Sequence, residues 1–382
     1  MSRPTTTELA DAAEGTGPAV DGLDVRVYKV PTDRPEGDGT LAWSSTTVVV
    51  VTVRAGGAEG LGYSYTGAAA ASVISEKLSE VVTGADPLQV PALNQRMVRE
   101  CRNLGGPGVV ACAVSAVDTA LWDLKARLLG LPLADLFGRC RAVVPIYGSG
   151  GFTTYPDDVT RAQVHKWVDE WAIPRVKIKI GESWGTQPAR DLHRVRLVRE
   201  TAGPDTEVYV DANGAYTAKQ AIRLGRAMAA EADVTWFEEP VSSDDLGGLA
   251  AVRQGCPLDV AAGEYGYTQS YFWTMLTAGA VDCLQIDVTR CGGYTGWLRA
   301  AACAESAGVE VSGHCAPNLH AHVGVSAPNL RHLEYFHDHH RIENMLFDGA
   351  LPPDGGSLRP SRDAPGHGLA LRGADAEQFR VA

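Results

Sequence analysis

The sequence predicts an α/β protein in which an α+β unit precedes a closed parallel barrel and a tail returns to the first unit. Three observations carry this. Eight short apolar segments recur between residues 142 and 336, and most are separated by a stretch long enough for one helix, the alternation of a parallel sheet with helical crossovers. An open doubly wound sheet would place a Gly-rich turn after its first strand, and "YGSGG" is a poor match to G-x-G-x-x-G. Before residue 142 the order is strands and then helices, which marks a separate α+β unit.

The first unit spans residues 1–141. It opens on "MSRPTTTELADAAEGTGPAV", which lacks the apolar core of a signal peptide, and its first ~20 residues are expected to be disordered. "VRVYKV", "TTVVVVTVR" and "GLGYSY" read as three strands of an antiparallel meander. Between the first two, "PTDRPEGDGTLAW" is dense in Pro, Gly and Asp and predicts a loop. "ASVISEKLSEVV", "VPALNQRMVRECRNLG" and "VVACAVSAVDTALWDLKARLLG" carry helical patterning.

The barrel occupies residues 142–336. Its strands are "VVPIYGSG", "RVKIKIG", "EVYVDAN", "WFEEPV", "LDVAAGE", "DCLQIDVTR", "VEVSGHC" and "RHLEYF". Intervening stretches such as "PARDLHRVRLVRETAG" and "TAKQAIRLGRAMAAEA" supply the helices. Residues 337–382 are rich in Pro and Gly and are expected to fold back over the first unit.

The chain has 382 residues, 45% of them apolar, which is ample for a large core. The net charge of −12 comes without a basic block, which argues against nucleic acid or an anionic membrane as partner. Anionic small molecules stay open, because a local metal or lysine pair can reverse the field inside one pocket. No apolar run approaches membrane-spanning length. The eight cysteines show no C-x-x-C spacing and read as reduced, packed thiols of a cytoplasmic protein.

In "RVKIKIG", Val176, Ile178 and Ile180 alternate with Lys177 and Lys179, so both ammonium groups point to one face. An ordinary solvated strand would explain that alone. In a parallel barrel, however, functional side chains collect at the C-terminal strand ends. Lys179, Asp211 with Asn213, Glu238 with Glu239, Glu264, Asp287, His314 and Glu334 close seven consecutive strands. One such residue is more often structural; seven in register are not.

Asp211, Glu238 and Glu264 are hard oxygen donors from adjacent strands, a set that suits Mg²⁺. No cysteine or histidine stands among them, against a structural zinc site. Neighbours on a strand face opposite ways, so Glu238 is taken as the ligand and Glu239 is left to a supporting or loop role. Lys179 and His314 are nitrogen bases on other sides of that metal, and Asp287 can accept the His314 Nδ1–H. Lys177, one pleat deeper, is expected to lower the pKa of Lys179 or to bind a substrate carboxylate. A carboxylate substrate on Mg²⁺ can lose its α-proton, because the metal stabilises the enediolate. Glu334, if protonated, would hydrogen-bond a carboxylate oxygen.

"KIKIG", "VDANGAY", "WFEEPV", "AAGE", "QIDVTRCGGYTG", "GHCAP" and "HLEYF", in that order, with the helix "SAVDTALWDLKARLLGLPLADLFG", resemble the enolase superfamily and within it the mandelate racemase subgroup. The resemblance spans nearly the whole chain. It implies a modified TIM barrel, (β/α)7β, under an α+β capping domain built from the N- and C-terminal segments. It also implies Mg²⁺ on Asp211, Glu238 and Glu264, Lys179 opposite a His314–Asp287 dyad, and Glu334 as electrophile. The implied activity is that of a lyase: dehydration of an acid sugar to a 2-keto-3-deoxy acid. A two-base racemase or epimerase is the isomerase alternative, since both reactions need the same residues. A homo-oligomer is the family habit.

By the same resemblance, capping loops set specificity. Trp43, Tyr63 and Tyr65 are candidate contacts, as are Asn213 at the rim and His320 and His322 in "NLHAHVG". "HDHH" at 337–340 is expected to be solvated or to pack the tail. Cys315 should face away from His314, which disfavours a Cys/His nucleophile. A Schiff-base aldolase would not need three carboxylates, a non-catalytic sugar-acid binder would not need two bases, and a dehydrogenase lacks its dinucleotide loop.

Overall fold

Four consecutive valines, Val48, Val49, Val50 and Val51, explain how the two units join. The structure, a computed structural model, describes residues 17–382 and, before them, residues 5, 7, 8 and 15. The segment expected to be disordered therefore lies largely outside the described residues. The valines stand in the middle strand of an antiparallel sheet, β1 (Val20–Gly37), β2 (Ala42–Ala55) and β3 (Ala58–Tyr65). Strand side chains alternate between faces. Val49 and Val51 pack under the capping helices, while Val48 and Val50 belong to the core shared with the barrel. Both faces of the sheet are buried, so the strand reads as an unbroken apolar run.

A helical run over 69–82, α1 (Val90–Glu100) and α2 (Val109–Leu128) cover the outer face. Contact between α2 and β3 is close. A Cβ on Gly62 would lie 2.3 Å from the Ala116 carbonyl oxygen, and one on Gly60 2.3 Å from that of Ala120.

The expected loop "PTDRPEGDGTLAW" is mostly strand. Glu36 pairs with Trp43 and Gly37 with Ala42, and a bulge between Pro31 and Glu36 absorbs the extra residues. Only a tight turn remains, where Asp38 Oδ1 accepts the Leu41 N–H at 2.8 Å. Ladder pairing overrides the local Pro/Gly signal here.

The barrel strands are β4 (Val144–Gly150), β5 (Arg175–Lys179), β6 (Glu207–Asp211), β7 (Val234–Glu238), β8 (Asp259–Ala262), β9 (Cys283–Ile286), β10 (Glu310–Gly313) and β11 (Leu330–Phe336). Each pairs in parallel with the next, and β11 pairs with β4 to close the ring. One main helix follows each of the first seven strands: α3 (Asp157–His165), α4 (Pro188–Ala202), α5 (Ala218–Ala232), α6 (Leu246–Gly255), α7 (Gln269–Thr277), α8 (Gly293–Ser306) and α9 (Pro317–Gly324). This is the (β/α)7β barrel.

After β11 the chain forms α10 (His337–Leu346) and pairs Ser357–Leu358 with β4. It then reaches the capping sheet, where Val27 N–H donates to the Ala382 carbonyl at 2.8 Å. Of the "HDHH" histidines, His339 and His340 pack, while His337 stays partly exposed. The His339 ring stacks on Tyr65 at 3.4 Å, and His340 Nδ1 accepts the Tyr335 hydroxyl at 2.6 Å.

Candidate active site

Register sets the level of the site. Lys179 pairs with Asp211 and Asp211 with Glu238, so three charged side chains from β5, β6 and β7 enter the barrel at one height. Val176, Ile178 and Ile180 pack in the main core on the other face of β5. Beneath the charges lies an apolar floor of Tyr147, Tyr209, Trp236, Ala261 and Cys283, which closes the barrel to water from below.

Glu264 arrives differently. It follows β8 by two residues, after Gly263 at φ +133°, where a Cβ would lie 2.2 Å from the Gln285 carbonyl oxygen. Only glycine lets the chain turn there. Asp211, Glu238 and Glu264 thus converge, each offering an oxygen within 4.8 Å of the others. All the donors are carboxylate oxygens, with no sulfur or nitrogen among them. Such a set fits Mg²⁺.

Lysines border and underlie this triad. Lys179 Nζ donates to Asp211 Oδ2. Lys177, fully buried, lies 2.6 Å from both Glu238 oxygens, 2.8 Å from Glu334 Oε1 and 3.8 Å from Asp211 Oδ2. Burial and Lys177 each oppose the Lys179 charge, yet Asp211, Glu334 and Glu264 outweigh them and hold its pKa well above the usual range. The like-charge effect has the expected sign, but the carboxylates override the expected depression. Burial, partly offset by Lys177, pushes Glu238 up to about 8.

His314 borders the triad on the other side. Its Nδ1 lies 2.8 Å from Asp287 Oδ2. Asp287 Oδ1 is held by the Thr289 N–H at 2.7 Å and hydroxyl at 2.8 Å, so Oδ2 takes the Nδ1–H and Nε2 faces the site. Nε2 is 3.2 Å from Glu264 Oε2 and 3.6 Å from Glu334 Oε2. Burial opposes the imidazolium. Glu264, Glu334 and the bonded Asp287 outweigh it and hold His314 above the usual imidazole range.

Glu334 accepts the Ser149 hydroxyl at 2.6 Å and the Cys315 N–H at 3.0 Å. Burial favours its neutral form, but Lys177, His314 and Lys179 keep its pKa well below the carboxylate range. Here it is an acceptor, not the protonated donor expected from the sequence.

Other sequence expectations need correction. Strand β10 ends at Gly313 and Cys315 has φ +52°, so alternation no longer applies. Its sulfur turns in, 3.4 Å from His314 Nε2. Burial and Glu334 keep it a thiol, well above its ordinary pKa. His320 is locked in backbone bonds, with Nδ1 2.8 Å from the Cys315 carbonyl and Nε2 accepting the Val288 N–H at 3.0 Å; it has no nitrogen free for a polyol. His322 lies buried near His367, their rings 6.1 Å apart, beside the C-terminal segment.

Tyr63 donates to Glu343 at 2.5 Å, and Tyr65 donates to the His339 carbonyl at 3.3 Å; both pack. Trp43 does lie near the mouth, edge-on to Phe152 at 5.7 Å. The Asn213 N–H orients Asp211 by donating to Oδ1 at 2.9 Å.

Two further side chains border the site. Arg290 lies 3.3 Å from both Glu264 Oε1 and Asp287 Oδ2 and ties the triad to the dyad. Its place three residues after Asp287 was the available signal. Ser149 stands one residue before the end of β4 and is not ionisable, so charge at a strand end does not mark it.

The fold places the chain among the capped parallel barrels of the enolase type. Within that class, residues 23–138 match the family model for the mandelate racemase / muconate lactonizing enzyme N-terminal domain, and residues 159–376 match the one described as enolase C-terminal domain-like. The chain belongs to the mandelate racemase/muconate lactonizing enzyme family. It is 33% identical over 353 residues to the 3,6-anhydro-alpha-L-galactonate cycloisomerase of Streptomyces coelicolor, covering 90% of this chain and 95% of that protein. To the L-talarate/galactarate dehydratase of Salmonella typhimurium it is 30% identical over 374 residues, covering 94% and 90%.

A solved structure of that dehydratase, liganded with Mg and L-lyxarohydroxamate, aligns with a TM-score of 0.87 at 27% identity, covering 100% of this chain and 96% of the other. A mandelate racemase/muconate lactonizing enzyme-like protein from Rubrobacter xylanophilus aligns with a TM-score of 0.92 at 50% identity, covering 95% and 100%.

Proposed function

We propose that this protein is a Mg²⁺-dependent lyase that removes the proton α to the carboxylate of an acid sugar and dehydrates it to a 2-keto-3-deoxy acid. One observation carries the reading: Lys179 and His314 flank a triad of carboxylates, each in contact with one of its members. Mg²⁺ held by Asp211, Glu238 and Glu264 would stabilise the negative charge that develops on the substrate carboxylate. With Asp211 and Glu238 serving as ligands, Lys177 and Lys179 lose charge partners, and their mutual repulsion moves Lys179 toward its free-base form.

Mg²⁺ on Glu264 would offset one of the charges that hold the His314 imidazolium, so Nε2 becomes the base on the opposite side, and Asp287 holds its tautomer and stabilises the imidazolium that re-forms. That imidazolium then protonates the departing β-hydroxyl. Glu334, at the far wall with Ser149, hydrogen-bonds a substrate carboxylate oxygen once it holds a proton.

Proton return to the opposite face of the α-carbon would instead give an isomerase, a reading favoured by the two-base geometry. The Salmonella relative named as a dehydratase supports dehydration as the first reading. We place the protein in the cytoplasm as a homo-oligomer. In support of the first, all eight cysteines are free thiols; the second rests on the family resemblance.

The test is proton NMR of aldonic, uronic and aldaric acids with enzyme and Mg²⁺ in D₂O. Loss of the α-proton with a 3-deoxy-2-keto product supports the lyase. Deuterium at the α-carbon with inversion and no loss of water would replace it with the isomerase. No exchange with any of these acids would refute the acid-sugar lyase and move the search to non-sugar 2-hydroxy acids.

A further inference from the structure

A second set of ligand-type side chains meets where the capping hairpin touches the end of the last barrel strand. Asp33 and Glu36 lie on β1, and His337 opens α10. The bulge between Pro31 and Glu36 brings both carboxylates to one place. Each of the three residues offers a ligand atom within 4.8 Å of the others, and His337 Nε2 is 3.1 Å from Asp33 Oδ2.

Glu36 is the independent observation. It has 0% exposure, and its Oε2 accepts the Trp43 Nε1–H at 2.9 Å. Its Oε1 has no hydrogen-bond partner among the described residues. A buried carboxylate oxygen without a partner is costly and calls for a cation or a donor. Arg341 does not serve it: that guanidinium donates to Asp338 Oδ1 and to the Pro31 carbonyl, both at 2.6 Å. Asp338 Oδ2 in turn takes the Thr46 hydroxyl.

We infer that Asp33, Glu36 and His337 form a second metal site, separate from the barrel triad, for a first-row transition ion of the Zn²⁺ class. An imidazole beside two carboxylates suits such an ion better than Mg²⁺, and three protein ligands leave room for one water. Side-chain exposures of 44% for Asp33 and 22% for His337 give the ion a way in, while buried Glu36 anchors it. The ion would pin the hairpin to the barrel. Trp43 hangs from Glu36, and Phe336, next to His337, lies 5.9 Å from Lys179 Nζ. Its occupancy would therefore hold Trp43 in place beside the mouth.

The test is equilibrium dialysis of the intact protein against micromolar Zn²⁺ in millimolar Mg²⁺, with metal content measured per chain and tryptophan fluorescence read alongside. Wild type and Glu238→Gln should retain one zinc, and Asp33→Asn and His337→Ala should each weaken it by about tenfold or more. Both substitutions are at partly exposed positions, and circular dichroism of each variant checks that it is folded. No zinc on the wild type, zinc undiminished in either variant, or zinc lost in Glu238→Gln would overturn the assignment.

Discussion

Asp287→Asn tests the His314 dyad through a single atom. The Thr289 N–H and hydroxyl both donate to Asp287 Oδ1, so the acceptor end of an asparagine amide is drawn to that side. The amide nitrogen must then occupy the Oδ2 position, 2.8 Å from His314 Nδ1. There it donates to Nδ1 and forces the proton onto Nε2, the nitrogen that faces Glu264. The ring keeps its place but can no longer accept a proton from substrate.

A wrong tautomer in a comparable dyad costs roughly 10³–10⁴-fold in kcat, or about 4–5 kcal/mol of barrier. Arg290 Nε, 3.3 Å from Oδ2, also loses its acceptor, and forfeiting bonds to a charged group destabilises the fold by about 2 kcal/mol. Burial opposes the Asp287 charge, but the His314 bond and Arg290 draw its pKa down to about 2, so wild type keeps the carboxylate at any practical assay pH. The assay is steady-state turnover together with α-proton exchange in D₂O. Exchange on substrates whose α-proton faces Lys179 should survive while turnover falls. Turnover above a tenth of wild type would refute the tautomer argument.

Glu238→Gln should weaken Mg²⁺ binding by at least about tenfold in calorimetry and abolish turnover; wild-type affinity would remove Glu238 from the ligand set. Glu343, which joins Tyr63 of the capping sheet to Asn318 of α9, is pushed by burial from 4.5 up to about 7. The folded state thus keeps a proton that the unfolded chain releases, so this contribution is full below pH 4.5 and is lost as pH rises through 7. Glu343→Gln should therefore gain on wild type by up to ~3 kcal/mol between acid and pH 8; a difference in melting temperature independent of pH would contradict this. Gly62→Ala should cost about 3 kcal/mol of stability, because the added carbon meets backbone atoms of α2 on two sides, the Ala120 nitrogen at 2.4 Å among them. Gly22→Ala, whose added carbon meets nothing within 4 Å, is the control; equal losses in the two would show that the helix contact is not the cause.

Much of the framework was legible because it depends on local period. The alternation in "RVKIKIG" determines that Val176 and Ile178 face the helices while Lys177 and Lys179 face the barrel interior. The run of valines in β2 determines a strand covered on both sides. Strand-end position alone selects the carboxylates, and parallel register brings Asp211 and Glu238 to one level.

Other features have no local signature. "PTDRPEGDGTLAW" reads as a loop by composition and becomes strand because its partner is at hand. Cys315 turns toward His314 only because the chain leaves β10 in a left-handed conformation. Arg290 becomes part of the site only when folding sets Glu264 beside Asp287.

Protonation was the least legible property. The charges of Lys179, Glu334 and His314 each result from a large burial penalty set against neighbours from other strands. Within a strand, the sequence determines which side chains enter the barrel, since alternate residues face opposite sides. Their partners, and hence their charge, are decided only by tertiary structure, because electrostatic energy depends on distances between residues far apart in the chain.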